Sequence, residues 1–395
     1  MKSLIFRQLA VSSAVASALF SASAFTPAAH AAAKQYVVVV AEGLSPQVLD
    51  LGKAYGRKAD DDAEESTAFD ALIAGGKSAD MGADALAQMQ GILESAAKSG
   101  YKTGLVTTGD LTTVAPLFYT LNGDAASALT SADAKYDFLA GGGRAKLGAD
   151  VDAKIKAAGG TYLKDEEGLD ADIKGRVLAA EADEDLNFAI DRNPEEQAGL
   201  SELSTLAMDT LGAGDSPFVL VIHDTLIKKA LDSKDSPALV EQFRELNSIL
   251  ADATARRDDN PNLNLAVLMT GSQATPRFST SVEAEQQNAL FVLSNLSLSY
   301  AGAARALKGA DTDAITAFAD PVDGQYKGWK VPADVRERLI AGTIDPETAI
   351  RASYEPALKL DYNGAAAAPV AYTLGFEAPQ GLVAALKSAV ATPAK

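Results

Sequence analysis

The stretch Tyr36-Val37-Val38-Val39-Val40-Ala41 decides the fold. Four consecutive valines leave no polar alternation, so both faces of the strand they form must be covered, which is the mark of a parallel sheet. Working outward, residues 81–99 place Leu86, Met89, Ile92, Leu93 and Ala96 at three- and four-residue steps. That spacing predicts a helix lying on the sheet, with Gly100 ending it. Further strands are predicted at 101–107, 136–140, 218–222 and 263–269, with helices at 200–211 and 240–253 between the later ones. Strands separated by helices imply the doubly wound α/β class, a mostly parallel sheet with helices on both faces.

The pattern turns helical from 275 to 362. Asp345-Pro346-Glu347 gives one helix a capping acid before proline, and Pro332 opens the helix before it. A short strand at 369–374 and a helix at 381–390 follow. The expected organisation is therefore a leader at 1–31, an α/β core at 32–274, a helical insertion at 275–362, and a closing strand, helix and tail of the core at 363–395.

The chain has 395 residues, 47% hydrophobic and 22% charged, a globular profile, and a net charge of −18. So acidic a surface repels phosphate backbones, which disfavours nucleic acid as a partner. There is no cysteine, which removes disulfides, thiolate metal sites and cysteine nucleophiles together. Lys2 and Arg7, the apolar run from 9 to 20 and Ala29-His30-Ala31 make a secretory signal peptide, with cleavage expected after Ala31 and a periplasmic or secreted product. Its removal takes two of 35 basic residues and none of 53 acidic ones, so the net charge goes from −18 to −20. His30 goes with it, leaving His223 as the only histidine. No later run reaches the ~20 apolar residues of a membrane span.

Several features invite chemistry. Ser66, His223 and either Asp224 or Asp232 could be assembled as a nucleophile triad, but no Gly-x-Ser-x-Gly elbow exposes a serine. The run Asp60-Asp61-Asp62-Ala63-Glu64-Glu65 lacks the alternate spacing and glycine of a calcium loop and reads as a solvated loop. Gly141-Gly142-Gly143-Arg144 could cradle an anion on backbone N–H groups, although a tight turn after a strand is the preferred reading. Trp329, with Tyr326 and Tyr354, could offer a sugar or peptide surface; an anchor packing the helical stretch onto the sheet is preferred.

Five phrases, in order, resemble the alkaline phosphatase family: Ala71-Leu72-Ile73-Ala74-Gly75-Gly76-Lys77, Thr103-Gly104-Leu105-Val106-Thr107-Thr108, Phe138-Leu139-Ala140-Gly141-Gly142-Gly143-Arg144, Leu200-Ser201-Glu202-Leu203 and Phe218-Val219-Leu220-Val221. The resemblance implies a parallel sheet carrying two zinc ions and a magnesium at its carboxyl ends beside a serine nucleophile. Carried over residue by residue, it puts Glu42 where the family has a metal-bridging aspartate, and Glu65 or Ser66 at the nucleophile. Ala115 stands for a magnesium-binding threonine, and the residue at the phosphate-clamping arginine falls near Ala126. The magnesium glutamate and the zinc Asp and His become His223, Lys228 and Asp232. Ser272 and Gln273 replace the second zinc's Asp-His, and Asn363 best matches its last histidine.

Zinc needs three or four nitrogen, sulfur or carboxylate ligands converging at about 2.0–2.3 Å, and a two-metal phosphatase needs two such sites about 4 Å apart. One histidine and no cysteine cannot supply the usual sets, although carboxylate sites for magnesium, calcium or manganese stay open. The expectation is a catalytically inactive, exported relative with a binding or structural role, no cofactor, and an unknown protein or a small anionic ligand as partner. Glu42 and Ser66 would be vestiges of the centre, and Lys228 would fill charge space left by zinc. The alternative is a phosphate- or sulfate-ester hydrolase with an altered divalent-cation site, magnesium or zinc among the candidates, built from Glu42, Asp224, Asp232 and Asp235.

Overall fold

The computed structural model describes residues 34–59, 68–81, 84–164, 169, 173, 175–272, 275–319, 331–376 and 382–391. Its centre is a sheet of nine strands. These are β1 (Gln35–Ala41), β2 (Lys77–Asp80), β3 (Lys102–Asp110), β4 (Phe138–Gly142), β5 (Thr161–Leu163), β6 (Val177–Ala180), β7 (Phe218–Asp224), β8 (Leu263–Met269) and β11 (Val370–Leu374). They lie in the order β2-β11-β8-β1-β7-β3-β4-β6-β5. Only β11 runs against its neighbours, β8 and β2. The valine run is the middle of the sheet: β1 pairs in parallel with β7 and β8, and all seven of its residues are buried.

Helices cover both faces. On one lie α1 (Pro46–Ala59), α2 (Ala68–Gly75), α7 (Leu200–Gly212), α8 (Leu226–Asp232) and α9 (Ser236–Asp259); on the other lie α3 (Ile92–Lys98), α4 (Leu111–Phe118), α5 (Ala125–Thr130), α6 (Val151–Ala157) and α15 (Leu382–Ala391). Strand pleating sorts the core accordingly. Val37, Val39 and Ala41 join the first cluster, and Tyr36, Val38 and Val40 join the second.

The helix expected over 81–99 is divided. A 3-10 turn at Ala87–Met89 precedes α3, and Gly91 between them takes φ +70°, a left-handed conformation that costs glycine little. Met89, Ile92, Leu93 and Ala96 are buried as the spacing predicted, so the stripe is right and the continuous helix is not.

The stretch expected to be all helix opens and closes on strands. β9 (Thr275–Phe278) pairs antiparallel with β10 (Leu360–Gly364), and α10 (Glu283–Ser294), α11 (Tyr300–Leu307), α12 (Thr312–Ala319), α13 (Ala333–Ile340) and α14 (Pro346–Leu358) lie between them. Leu290, Tyr300, Ile350 and Tyr354 fuse with the sheet's first apolar cluster, so these helices add to the main core and build none of their own. Asp345 caps α14 as expected, accepting from Thr348 N–H. Among the described residues no helix is long and apolar enough to cross a membrane.

Candidate functional site

Parallel pairing brings the carboxyl ends of β1, β3, β7 and β8 level. Val40 lies opposite His223 and Ala41 opposite Asp224, while Thr107 pairs with His223 from the other side. The chain leaves β1 through Glu42 and Gly43. The Glu42 N–H donates to Asp224 O at 2.9 Å, and the Gly43 N–H donates to Thr270 Oγ1 at 3.0 Å. Gly43 has φ +81°, and a Cβ there would lie 2.8 Å from Lys228 Cα. The glycine therefore lets α8 close directly over the end of β1.

Pleating decides which side chains meet. Val219 and Val221 belong to the second cluster and Leu220 and Ile222 to the first, so His223 falls on the face of Glu42 and Thr107, and Asp224 falls on the opposite face. His223 is fully buried, with the Phe118 ring edge-on at 5.4 Å between centroids. Its Nε2 lies 2.8 Å from Glu42 Oε1 and its Nδ1 3.4 Å from Thr107 Oγ1. The Gly109 N–H donates to Thr107 Oγ1 at 3.0 Å. A carboxylate only accepts, so Nε2–H donates to Glu42, and the Thr107 hydroxyl is the partner of Nδ1. Both imidazole nitrogens are thereby engaged by the protein.

Asp224, on the other face, caps α8. Its Oδ1 accepts from the N–H groups of Leu226 at 2.7 Å and Ile227 at 3.2 Å, and its Oδ2 accepts from Gln242 Nε2 at 2.9 Å. Burial pushes its carboxyl up to about 7, with Glu245 adding to the rise and these hydrogen bonds opposing it. Gln242 Nε2 also donates to Glu245, which holds Arg192 through two contacts of 2.5 and 3.1 Å. Sequence reasoning missed this network, whose members lie up to 53 positions apart along the chain.

The remaining candidates do not join Glu42. Asp232 is exposed on α8 and pairs with Lys228 one turn earlier, so the Lys228 ammonium is spent at the surface. Asp235 is buried at the start of α9, where its carboxylate accepts from Ala238 N–H and Ala301 N–H, each at 3.2 Å. Ala115 is a core residue of α4, Ala126 packs from α5 against the same cluster, and Asn363 is exposed on β10. Glu65, Ser66, the acid run 60–65, Gln273, Tyr326 and Trp329 lie outside the described residues. Tyr354 is buried in α14, and Ser272 O accepts from Ala367 N–H. The glycine turn is a turn: the N–H groups of Gly143, Arg144 and Ala145 donate to the carbonyls of Glu184, Ala182 and Asp183.

A rim of charge borders the strand ends. Asp110 caps α4 through Thr112 N–H at 2.7 Å and pairs with Lys146 at 2.5 Å. Burial works against its ionisation, but Lys146 and Thr112 outweigh that and hold the carboxyl below its usual range. The Asp110 N–H donates to Asp185, which also takes Lys229 at 2.7 Å. Its one legible signal is Asp110-Leu111-Thr112, a capping phrase.

Zinc or magnesium at this place would need donors that converge. Among the described residues no group of three or more His, Asp and Glu side chains does so. Glu42 and His223, the two that meet, spend their facing atoms on each other. The described donor set does not fit a two-metal centre.

Comparison with known proteins places this geometry on a known scaffold. No protein-family model matches the chain. A curated relative, alkaline phosphatase 4 of Bacillus subtilis (strain 168), is 22% identical over 215 residues, which are 50% of this chain and 46% of that protein. The chain thus spans about half the length of the curated relative it matches. A cold-active alkaline phosphatase from the psychrophile Shewanella sp. superposes with TM-score 0.73 at 19% identity, over 91% of this chain and 100% of that one. The alkaline phosphatase of Thermus thermophilus gives 0.73 at 18%, over 92% and 91%. The chain has the alkaline-phosphatase fold.

Proposed function

We propose that this chain is an exported alkaline-phosphatase-like protein without phosphatase turnover, serving a binding or structural role. The observation that carries the reading is the closed Glu42–His223–Thr107 arrangement at the carboxyl ends of β1, β7 and β3. Where the fold would place metal-bridging acids, an imidazole and a carboxylate satisfy one another, and the next carboxylate, Asp224, serves a helix on the far face. A serine at position 66 then has no cation to lower its pKa or to neutralise a phosphate dianion. Export rests on the leader-like first 31 residues.

The test is an aryl-phosphate assay of the mature protein with magnesium, manganese, calcium and zinc added separately. The expected result is turnover no greater than that of Ser66→Ala. Turnover stimulated by one metal and abolished by Ser66→Ala would establish a working hydrolase with an altered site instead.

A further inference from the structure

We propose that the cleft between α6 and the outer strand β5 is a binding site for a small organic anion: a carboxylate or phosphate group carried on a flat apolar body. The proposal rests on the binding role above and gives it a place away from the closed strand ends. The cleft holds about 750 Å³, within the roughly 300–1,000 Å³ of small-molecule sites. It opens beside the carboxyl ends of β4 and β5, the end of an open α/β sheet at which ligands bind. β3, β4 and β6 separate β5 from β7 and its His223.

Its lining is unlike the rest of so acidic a chain. Arg144, Lys156 and Lys164 border the cleft with Asp152 as the one acid, in a protein of net charge −18. Arg144 is fixed in place: its Nε donates to Asp183 at 2.8 Å and its Nη1 to Lys164 O at 2.9 Å. Among the described residues its Nη2 donates to nothing, and no carboxylate lies within salt-bridge reach of the Lys164 ammonium. Lys156 holds only Asp152, an exposed pair one helical turn apart that is readily given up. Tyr162, half-buried against the second core cluster, supplies an aromatic wall, and Val151 of that cluster supplies apolar contact. A guanidinium fixed by these bonds, beside two exposed ammonium groups, suits an oxyanion. A tyrosine wall suits the ring that carries it. The proposed site is confined to residues 144–164.

The test titrates the mature full-length protein with benzoate, phenyl phosphate and inorganic phosphate, followed by ligand-observed NMR and by thermal shift. Benzoate and phenyl phosphate are expected to bind and inorganic phosphate to bind more weakly, since it has no ring to place on Tyr162. Lys156→Ala/Lys164→Ala, at exposed positions, should keep the melting temperature of the free protein and weaken benzoate roughly tenfold. Lys164→Glu should weaken it further. Absence of binding by all three probes at millimolar concentration overturns the proposal, as does an affinity for benzoate that the lysine variants leave unchanged. Hydrolysis of phenyl phosphate would count against the non-catalytic reading alone, because benzoate has no ester to cleave and still reports on the cleft.

Discussion

Two places in this molecule bury carboxylates among chemically capable neighbours, and they use them in opposite ways. At the ends of β1 and β7, Glu42 and Asp224 are close in the fold yet diverge, one on each face of the sheet. At the start of α11, Asp191 and Asp235 come from distant parts of the chain and converge. Asp191 accepts from Ser299 N–H at 2.7 Å, Ser299 Oγ–H at 2.5 Å and Arg305 at 2.9 Å, while Asp235 links Ala238 N–H of α9 to Ala301 N–H. The fit is close enough that a Cβ on Gly302 would lie 2.2 Å from Asp191. The difference teaches that acids one register step apart on neighbouring strands are turned to opposite faces by the pleat, whereas acids on loops can meet. Where they meet here, backbone N–H groups and an arginine occupy them, and these ties fasten the 283–358 helices to the sheet.

The largest effect should come from breaking the convergent pair. Asp191→Ala strands the buried N–H and hydroxyl of Ser299 and should cost about 3 kcal/mol in urea unfolding. A cost near zero would show that the junction is not held in this way. Asp235 gives a pH signature. Burial is the main cause that raises its carboxyl to about 6, Asp191 adds to the rise, and the N–H groups of Tyr300, Ala238 and Ala301 oppose it. Against about 3.9 in the unfolded chain, the folded protein binds an extra proton between those values. Its contribution is therefore fully present below about pH 4 and lost as pH rises through 6. Stability of the native chain should thus fall relative to Asp235→Asn over that interval. Asp224, raised to about 7, titrates in the same direction.

The divergent pair should respond less. Glu42→Ala removes one partner of the buried His223 and should cost about 1–2 kcal/mol, with zinc restoring none of it in a thermal melt. A zinc-induced rise in the melting temperature of the native chain that Glu42→Ala abolishes would mean that the pair is a metal site. Smallest of all, Lys228→Ala or Asp232→Ala should change stability by less than about 0.5 kcal/mol, since this exposed pair is screened by solvent.

Much of this was legible along the chain. β1, β7 and β8 are apolar runs buried on both faces, and β8 occupies the predicted residues 263–269. β2, β5 and β6 have only three or four residues each, too few for any pattern to stand out, and none was predicted. At the site, phrases that resemble the family fall on β3, β4 and β7. The opposite facing of His223 and Asp224 follows from strand alternation, yet a list of candidate ligands treats them as interchangeable. Asp235 before Ser236-Pro237 carries a capping signature. Its tie to Ala301, 66 residues on, and that of Asp191 to Ser299, 108 residues on, leave no local trace.

The most direct test of the central claim is elemental analysis of the protein purified from its native source without chelators. An arrangement closed by Glu42, His223 and Thr107 predicts zinc and magnesium well below one equivalent per chain. Two equivalents of zinc retained through dialysis would contradict it.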